Sequence, residues 1–231
     1  MSTEPARPGP LLACALSAEK AALRAGLRGG LRGSPETRLL RTGMGQQRAW
    51  SSVSGALAQG ACTPGALLFT GFGAAVGPGI RPGDLLVATE VCDESGRSTE
   101  LPDPEELAGA LRRAGLTVHI GPLFSSDRVV RGSRRAELHA QGMLGVEMET
   151  AGALRAAQPL QLPVAAVRVV VDTPEYELMR PGILLHGARA WRALRAAAPV
   201  LAAWRPTPTD TSHPDTSHSG TPHSGKAGNP S

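Results

Sequence analysis

Aromatic side chains are nearly missing from this chain: three Phe, three Trp and one Tyr make up 3% of its 231 residues. Successive nucleobases therefore have no platform on which to stack, and a core must be assembled from Ala, Leu and Val. Lysine occurs only at Lys20 and Lys226, so arginine carries the basic side. The arginines are scattered among acidic residues and leave a formal net charge of only +4, which argues against a nucleic-acid partner. Cys14, Cys62 and Cys92 stand far apart without a CxxC pair, so neither a disulfide framework nor a zinc site is indicated. No apolar run approaches the roughly 18 to 20 residues that span a bilayer, and "MSTEPARPGP" is not a basic-then-apolar leader. The expectation is a cytoplasmic protein without stable membrane insertion, needing no metal or organic cofactor.

What is present is punctuation. The 28 Gly and 20 Pro break the chain into short elements, and 41% hydrophobic content supports one sizeable core. Residues 1–9 read as a flexible N-terminus and 10–204 as one domain. From 205 to 231 Ser, Thr, Pro and Gly replace almost every apolar residue, the composition of a disordered tail; His213, His218 and His223 in it are incidental to that composition. Within the domain, apolar runs at 11–16, 37–42, 65–70, 84–91, 116–124 and 164–172 read as strands. Helical stretches lie between them. "DPEELAGALRRAG" predicts one with Asp103 as cap, Pro104 at the first position and Glu106 closing a capping box. A longer helix is predicted over 183–204. Strand alternating with helix implies an α/β three-layer sandwich, a central mixed sheet flanked by helices, in which ligands sit at the carboxyl ends of strands.

The polar residues following each apolar run are therefore the candidates. Glu19, just after the first run, is either a first-turn residue of a helix capped by Ser17 or a carboxylate placed to activate water. Asp172 ends "VRVVVD"; it either opens a capping box with Glu175 or, emerging from three valines, holds its proton as a general acid requires. "TGMG" (42–45) and "TGFGAAVGPG" (70–79) read as Gly-rich turns that bring backbone N–H groups near a ligand, but without the G-x-G-x-x-G spacing of a dinucleotide site. "GVEMETAG" (145–152) sets two carboxylates among apolar neighbours. On an extended segment Glu147 and Glu149 share a side and Met148 takes the other, so the two form paired acceptors for the vicinal hydroxyls of a ribose.

Taken in order, "ALSAEK", "RTGMG", "TGFGAAVGPGIRPGDLLVATEV", "GVEMETAG" and "VRVVVD" resemble the nucleoside phosphorylase superfamily over roughly residues 10 to 200. The likeness is to its methylthioadenosine/S-adenosylhomocysteine nucleosidase branch. That resemblance implies a phosphorylase-like single domain that releases adenine from a 5′-substituted adenosine. Glu19 would position the attacking water, and Phe72 and Gly73 would run beneath the ribose. Met148 would pack on the sugar, Glu149 would bind its hydroxyls, and Asp172 would protonate the leaving purine at N7. Two positions depart from the family's pattern: Phe72 replaces a small or hydroxyl residue, and Val171 replaces a serine. Residues 67–70 also lack the arginine of many phosphorylases, which favours water over phosphate unless Arg41, Arg128 or a partner subunit's arginine substitutes. "GPLFSSDRVVRG" and "VRVVVDTPEYEL" are similar to hopanoid-associated members, implying phosphorolysis of adenosylhopane as an alternative and an apolar 5′ pocket with Phe72, Phe124 and Leu178 as candidate walls. A non-catalytic nucleoside binder is the rival from another class. The resemblance further implies a homodimer or higher homo-oligomer and a small-molecule nucleoside, with or without phosphate, as the partner.

Overall fold

The computed structural model describes residues 8–30, 37–59, 63–174 and 183–207. Eight strands form one mixed sheet, β1 (Leu11–Cys14), β2 (Arg38–Arg41), β3 (Leu67–Ala75), β4 (Leu85–Asp93), β5 (Ser98–Glu100), β6 (Val118–Ser125), β7 (Gly145–Glu147) and β8 (Val164–Asp172). Six helices flank it, α1 (Ser17–Gly30), α2 (Gln46–Ala58), α3 (Pro104–Arg113), α4 (Ser133–Ala140), α5 (Thr150–Ala157) and α6 (Ile183–Ala203). This is the expected mixed α/β architecture. The assumed tail and Leu178 lie wholly or largely outside the described residues, as do Glu175 and Cys62.

The strands are apolar without alternation because both faces of the sheet are covered. Along β1, Leu12 and Cys14 enter the core shared with α1, α3 and α6, while Leu11 and Ala13 enter the core beneath α2 and α5. Along β8, Val167 and Val169 go to the first and Ala166 and Val170 to the second. Two glycines let helices touch. A Cβ on Gly26 would lie 2.1 Å from the Arg195 carbonyl oxygen of α6, and one on Gly152 would lie 2.0 Å from that of Gln46.

Sheet order places the site. β1 lies between β2 and β3, parallel to both. β8 pairs in parallel with β3 and antiparallel with β4. β4 continues through β6 to β7, and β7 returns antiparallel to the end of β3. These five strands close a ring, and the ends of β7 and β8 are brought to one rim.

Two local expectations are corrected. "TGFGAA" is no turn: it extends β3 by six residues along β8, and the register shifts between Gly73 and Ala74. Asp103 does not close a capping box either. Its backbone is left-handed (φ 52°), its side chain makes no cap bond, and Oδ2 instead accepts the Thr207 N–H at 2.7 Å.

Candidate active site

At the rim of the ring, a cavity of about 170 Å³ is lined by Glu19, Phe72, Gly73, Glu147, Met148, Glu149, Val171 and Asp172, together with Met44, Arg128, Val129, Val130 and Arg135. Glu19, Phe72, Gly73, Glu147, Met148, Glu149 and Asp172 thus border one space, whereas Phe124 does not line it. A larger groove of about 660 Å³ runs between β5 and α5, but it lacks opposed buried carboxylates. Its Asp93 is spent on Ser95 and Arg97 of its own turn.

Glu19 is 2% exposed. Oε2 accepts the Leu16 N–H at 2.7 Å and Oε1 the Phe72 N–H at 2.7 Å, so the side chain both closes the start of α1 and joins it to β3. Each oxygen retains a second lone pair for a water. Burial pushes its pKa above the usual glutamate value, against the pull of those two N–H groups and of Arg168. That is the direction a general base near neutrality needs. The close approach depends on Gly71: its φ is +148°, and a Cβ there would sit 2.6 Å from Glu19 Oε1. The chain at Phe72 therefore serves the site chiefly through its backbone N–H.

The expectation of paired acceptors is corrected. Glu147 lines the cavity, but its carboxylate is occupied: it accepts the N–H groups of Glu149 and Thr150 and pairs with Arg168. β7 ends at Glu147, and Glu149 stands at the start of α5 (φ −132°, ψ −33°). The two carboxylates consequently do different work. Glu149 accepts the Gly45 N–H at 3.1 Å and lies 3.7 Å from Arg168. The "TGMG" turn, with Gly45 at φ 93°, thus offers its N–H to Glu149 rather than directly to a ligand. Burial raises the Glu149 pKa, opposed by Arg168 and assisted by the neighbouring Glu147 charge. Of the two carboxylates, Glu149 has the fewer protein partners.

Arg168 explains how two glutamates survive side by side. It is fully buried in β8, reaches Glu147 and Thr150 Oγ1, and stacks its guanidinium over Phe69 at 4.9 Å. An arginine within an apolar strand and two carboxylates within an apolar loop are complementary signals, and sequence reasoning weighed only the second.

Asp172 ends β8, but not in the purely apolar setting suggested by three valines. Arg135 of α4 places Nη2 2.5 Å from Oδ2, and both side chains are buried. Oδ1 has no partner among the described residues. The candidate pocket wall Phe124 instead packs with Val76, Val130, Leu138 and Val146 in a core cluster. Burial pushes the Cys14 thiol up to about 12, so it is no nucleophile.

The chain is thus an α/β protein whose strand ends deliver three separately held carboxylates to one cavity. It belongs to the phosphorylase superfamily, whose model matches residues 25–182; the members of that family are enzymes that cleave N-glycosidic bonds. No curated protein sequence matches. Among solved structures it is similar to the 5′-methylthioadenosine/S-adenosylhomocysteine nucleosidase of Neisseria meningitidis in complex with methylthio-immucillin-A (22% identity, 84% of this chain and 99% of that one, TM-score 0.66). It is also similar to the Streptococcus pneumoniae MTA/SAH nucleosidase bound to 8-aminoadenine (23%, 81% and 97%, 0.62) and to futalosine hydrolase of Helicobacter pylori (17%, 83% and 96%, 0.66). At these identities the likeness is one of fold.

Proposed function

We propose that the chain hydrolyses the N-glycosidic bond of a 5′-substituted adenosine and releases adenine. The observation that carries this reading is the meeting of Glu19, Glu149 and Asp172 at one cavity from three distant parts of the sequence. Breaking the bond from ribose C1′ to the base leaves an oxocarbenium-like sugar and a poor leaving group, so acid help and a nucleophile are both required. Asp172, through Oδ1, gives its proton to N7 as the bond electrons pass to the base. Glu19 takes a proton from a water whose oxygen bonds to C1′. Glu149 holds the ribose hydroxyls and Met148 packs against the sugar, which fixes the ring while the bond breaks.

Water is favoured over phosphate. The support is the lack of an arginine at residues 67–70; of the two arginines that line the cavity, Arg135 is committed to Asp172, and Arg128 is the one placed to meet a phosphate if phosphate is used. The 5′ substituent is apolar in this reading, because the side chains around the opening include Met44 and Val129, 52% and 56% exposed. The same observation favours an adenosyl lipid such as adenosylhopane as the second candidate substrate. Adenine release from methylthioadenosine, S-adenosylhomocysteine and an adenosyl lipid, measured with and without phosphate, tests the proposal. Adenine in phosphate-free buffer from at least one of them is expected. No adenine from any substrate favours a nucleoside binder, and strict phosphate dependence favours phosphorolysis.

A further inference from the structure

Among the described residues, Arg135 is the side chain paired with Asp172, and nothing in the sequence pointed to it. It lies on the first turn of α4 and is 4% exposed. Its three nitrogens are used unequally. Nε donates to the Val130 carbonyl oxygen at 3.2 Å, Nη2 donates to Asp172 Oδ2 at 2.5 Å, and Nη1 has no partner among the described residues. The guanidinium therefore ties two walls of the cavity together, the 128–130 segment on one side and the end of β8 on the other. It also divides the work of the carboxyl group. With Oδ2 taken, Oδ1 is left buried and without a partner among the described residues, at the edge of the cavity that Asp172 lines.

We infer that Arg135 is a positioning residue for leaving-group protonation: it fixes which oxygen of Asp172 carries the proton and stabilises the carboxylate that forms as that proton leaves. The inference rests on the reading of Asp172 as the acid. During the step, the proton moves from Oδ1 to the purine, the C1′–N bond electrons go to the base, and the negative charge on Asp172 develops beside a guanidinium that cannot itself be deprotonated. When Asp172 carries the proton in the substrate complex, a fixed charge beside it stabilises the carboxylate as the proton leaves and lowers the barrier of that step without touching the substrate. Arg135 therefore belongs to kcat and not to KM, and its value depends on how much acid help the base needs.

The test compares wild type, Arg135→Gln and Arg135→Lys on two ribosides that share a 5′ group, one carrying adenine and the other 2-fluoroadenine. The fluorine withdraws electrons, so the second base departs with less help from a proton. Thermal midpoints establish that the variants are folded. Arg135→Gln is expected to lower kcat for adenine release by about tenfold or more, a part of the roughly 10² to 10⁴ that acid catalysis supplies. KM should stay within about threefold. The loss for 2-fluoroadenine should be several-fold smaller, and Arg135→Lys, which restores a positive charge, should recover much of the adenine rate. A merely structural role moves both bases equally. Equal losses, or an unchanged kcat for adenine, would overturn the inference while leaving the hydrolase reading intact. Failure of the wild type to release either base defeats the hydrolase reading itself, and this inference with it.

Discussion

Replacing Arg168 with methionine removes the cation that two buried carboxylates share. Arg168 and Glu147 side chains are fully buried and that of Glu149 is 8% exposed, so neither glutamate recovers its lost partner from water. Breaking one side of a buried pair costs about 3 to 5 kcal/mol, and here the stranded charges also repel each other. For a protein of this size each kcal/mol lowers the thermal midpoint by about 2 to 4 °C, so a drop of roughly 6 to 20 °C is expected for Arg168→Met. Glu147→Gln is milder. It leaves Arg168 facing Glu149 at 3.7 Å and Thr150 Oγ1 at 2.8 Å, and it forfeits charge-assisted bonds worth about 1.5 to 3 kcal/mol. Combining the two changes removes one of the stranded charges, so the double variant should be more stable than the sum of the singles predicts. Denaturant unfolding of all four proteins near pH 7 gives these differences directly. If Arg168→Met costs no more than Glu147→Gln, the shared-cation account is wrong. Below its midpoint, Glu147→Gln should also keep most of its turnover, because the carboxylate it loses is directed at the protein rather than at substrate.

Three further outcomes follow from the same geometry. Asp172→Asn, which also strips buried Arg135 of its charged partner and so is assayed well below its thermal midpoint, should cut adenine release by about 10² to 10⁴, read as kcat in a product assay; near-normal turnover removes Asp172 from the acid role. Gly71→Ala places a methyl 2.6 Å from Glu19 Oε1 at a φ of +148°, and should lower both the thermal midpoint and kcat as Glu19 is displaced. The raised pKa of Glu149, caused first by burial, means that the folded chain holds more protons than the unfolded one above the ordinary value of 4.5. Its contribution to stability is therefore present at low pH and lost as pH rises through the folded-state value. Glu149→Gln lacks that proton site, so thermal midpoints across a pH series should shift in its favour relative to wild type as pH climbs; a constant difference contradicts the assignment.

The two-faced apolar strands were readable because both sides of the sheet are covered, and the residues at their mouths, Glu19 and Asp172, could be picked out by position alone. Period-two spacing set Met148 apart from Glu147 and Glu149, yet all three line one cavity, and it treated Glu147 and Glu149 as equivalent. What distinguishes them is the end of β7 between the two and the reach of Arg168 from β8, a contact across 21 residues of chain that no local pattern carries. The glycines of "TGFG" suggested a turn on local grounds. In the fold they serve close approach, Gly71 to Glu19 and Gly73 to the Arg168 side chain, where a Cβ would lie 3.0 Å away. Arg135 left no signal because one arginine among so many looks like a solvated surface residue until α4 is packed against the end of β8.

A crystal structure with a non-cleavable 5′-thioadenosine analogue bound is the most direct test of the central claim. The account predicts the analogue in the rim cavity, its 2′- and 3′-hydroxyls within hydrogen-bond distance of Glu149, the N7 edge of the base at Asp172 Oδ1, and Glu19 across C1′ on the side opposite the base. Binding in the larger groove between β5 and α5, or in the rim cavity with the ribose away from Glu149, would contradict it.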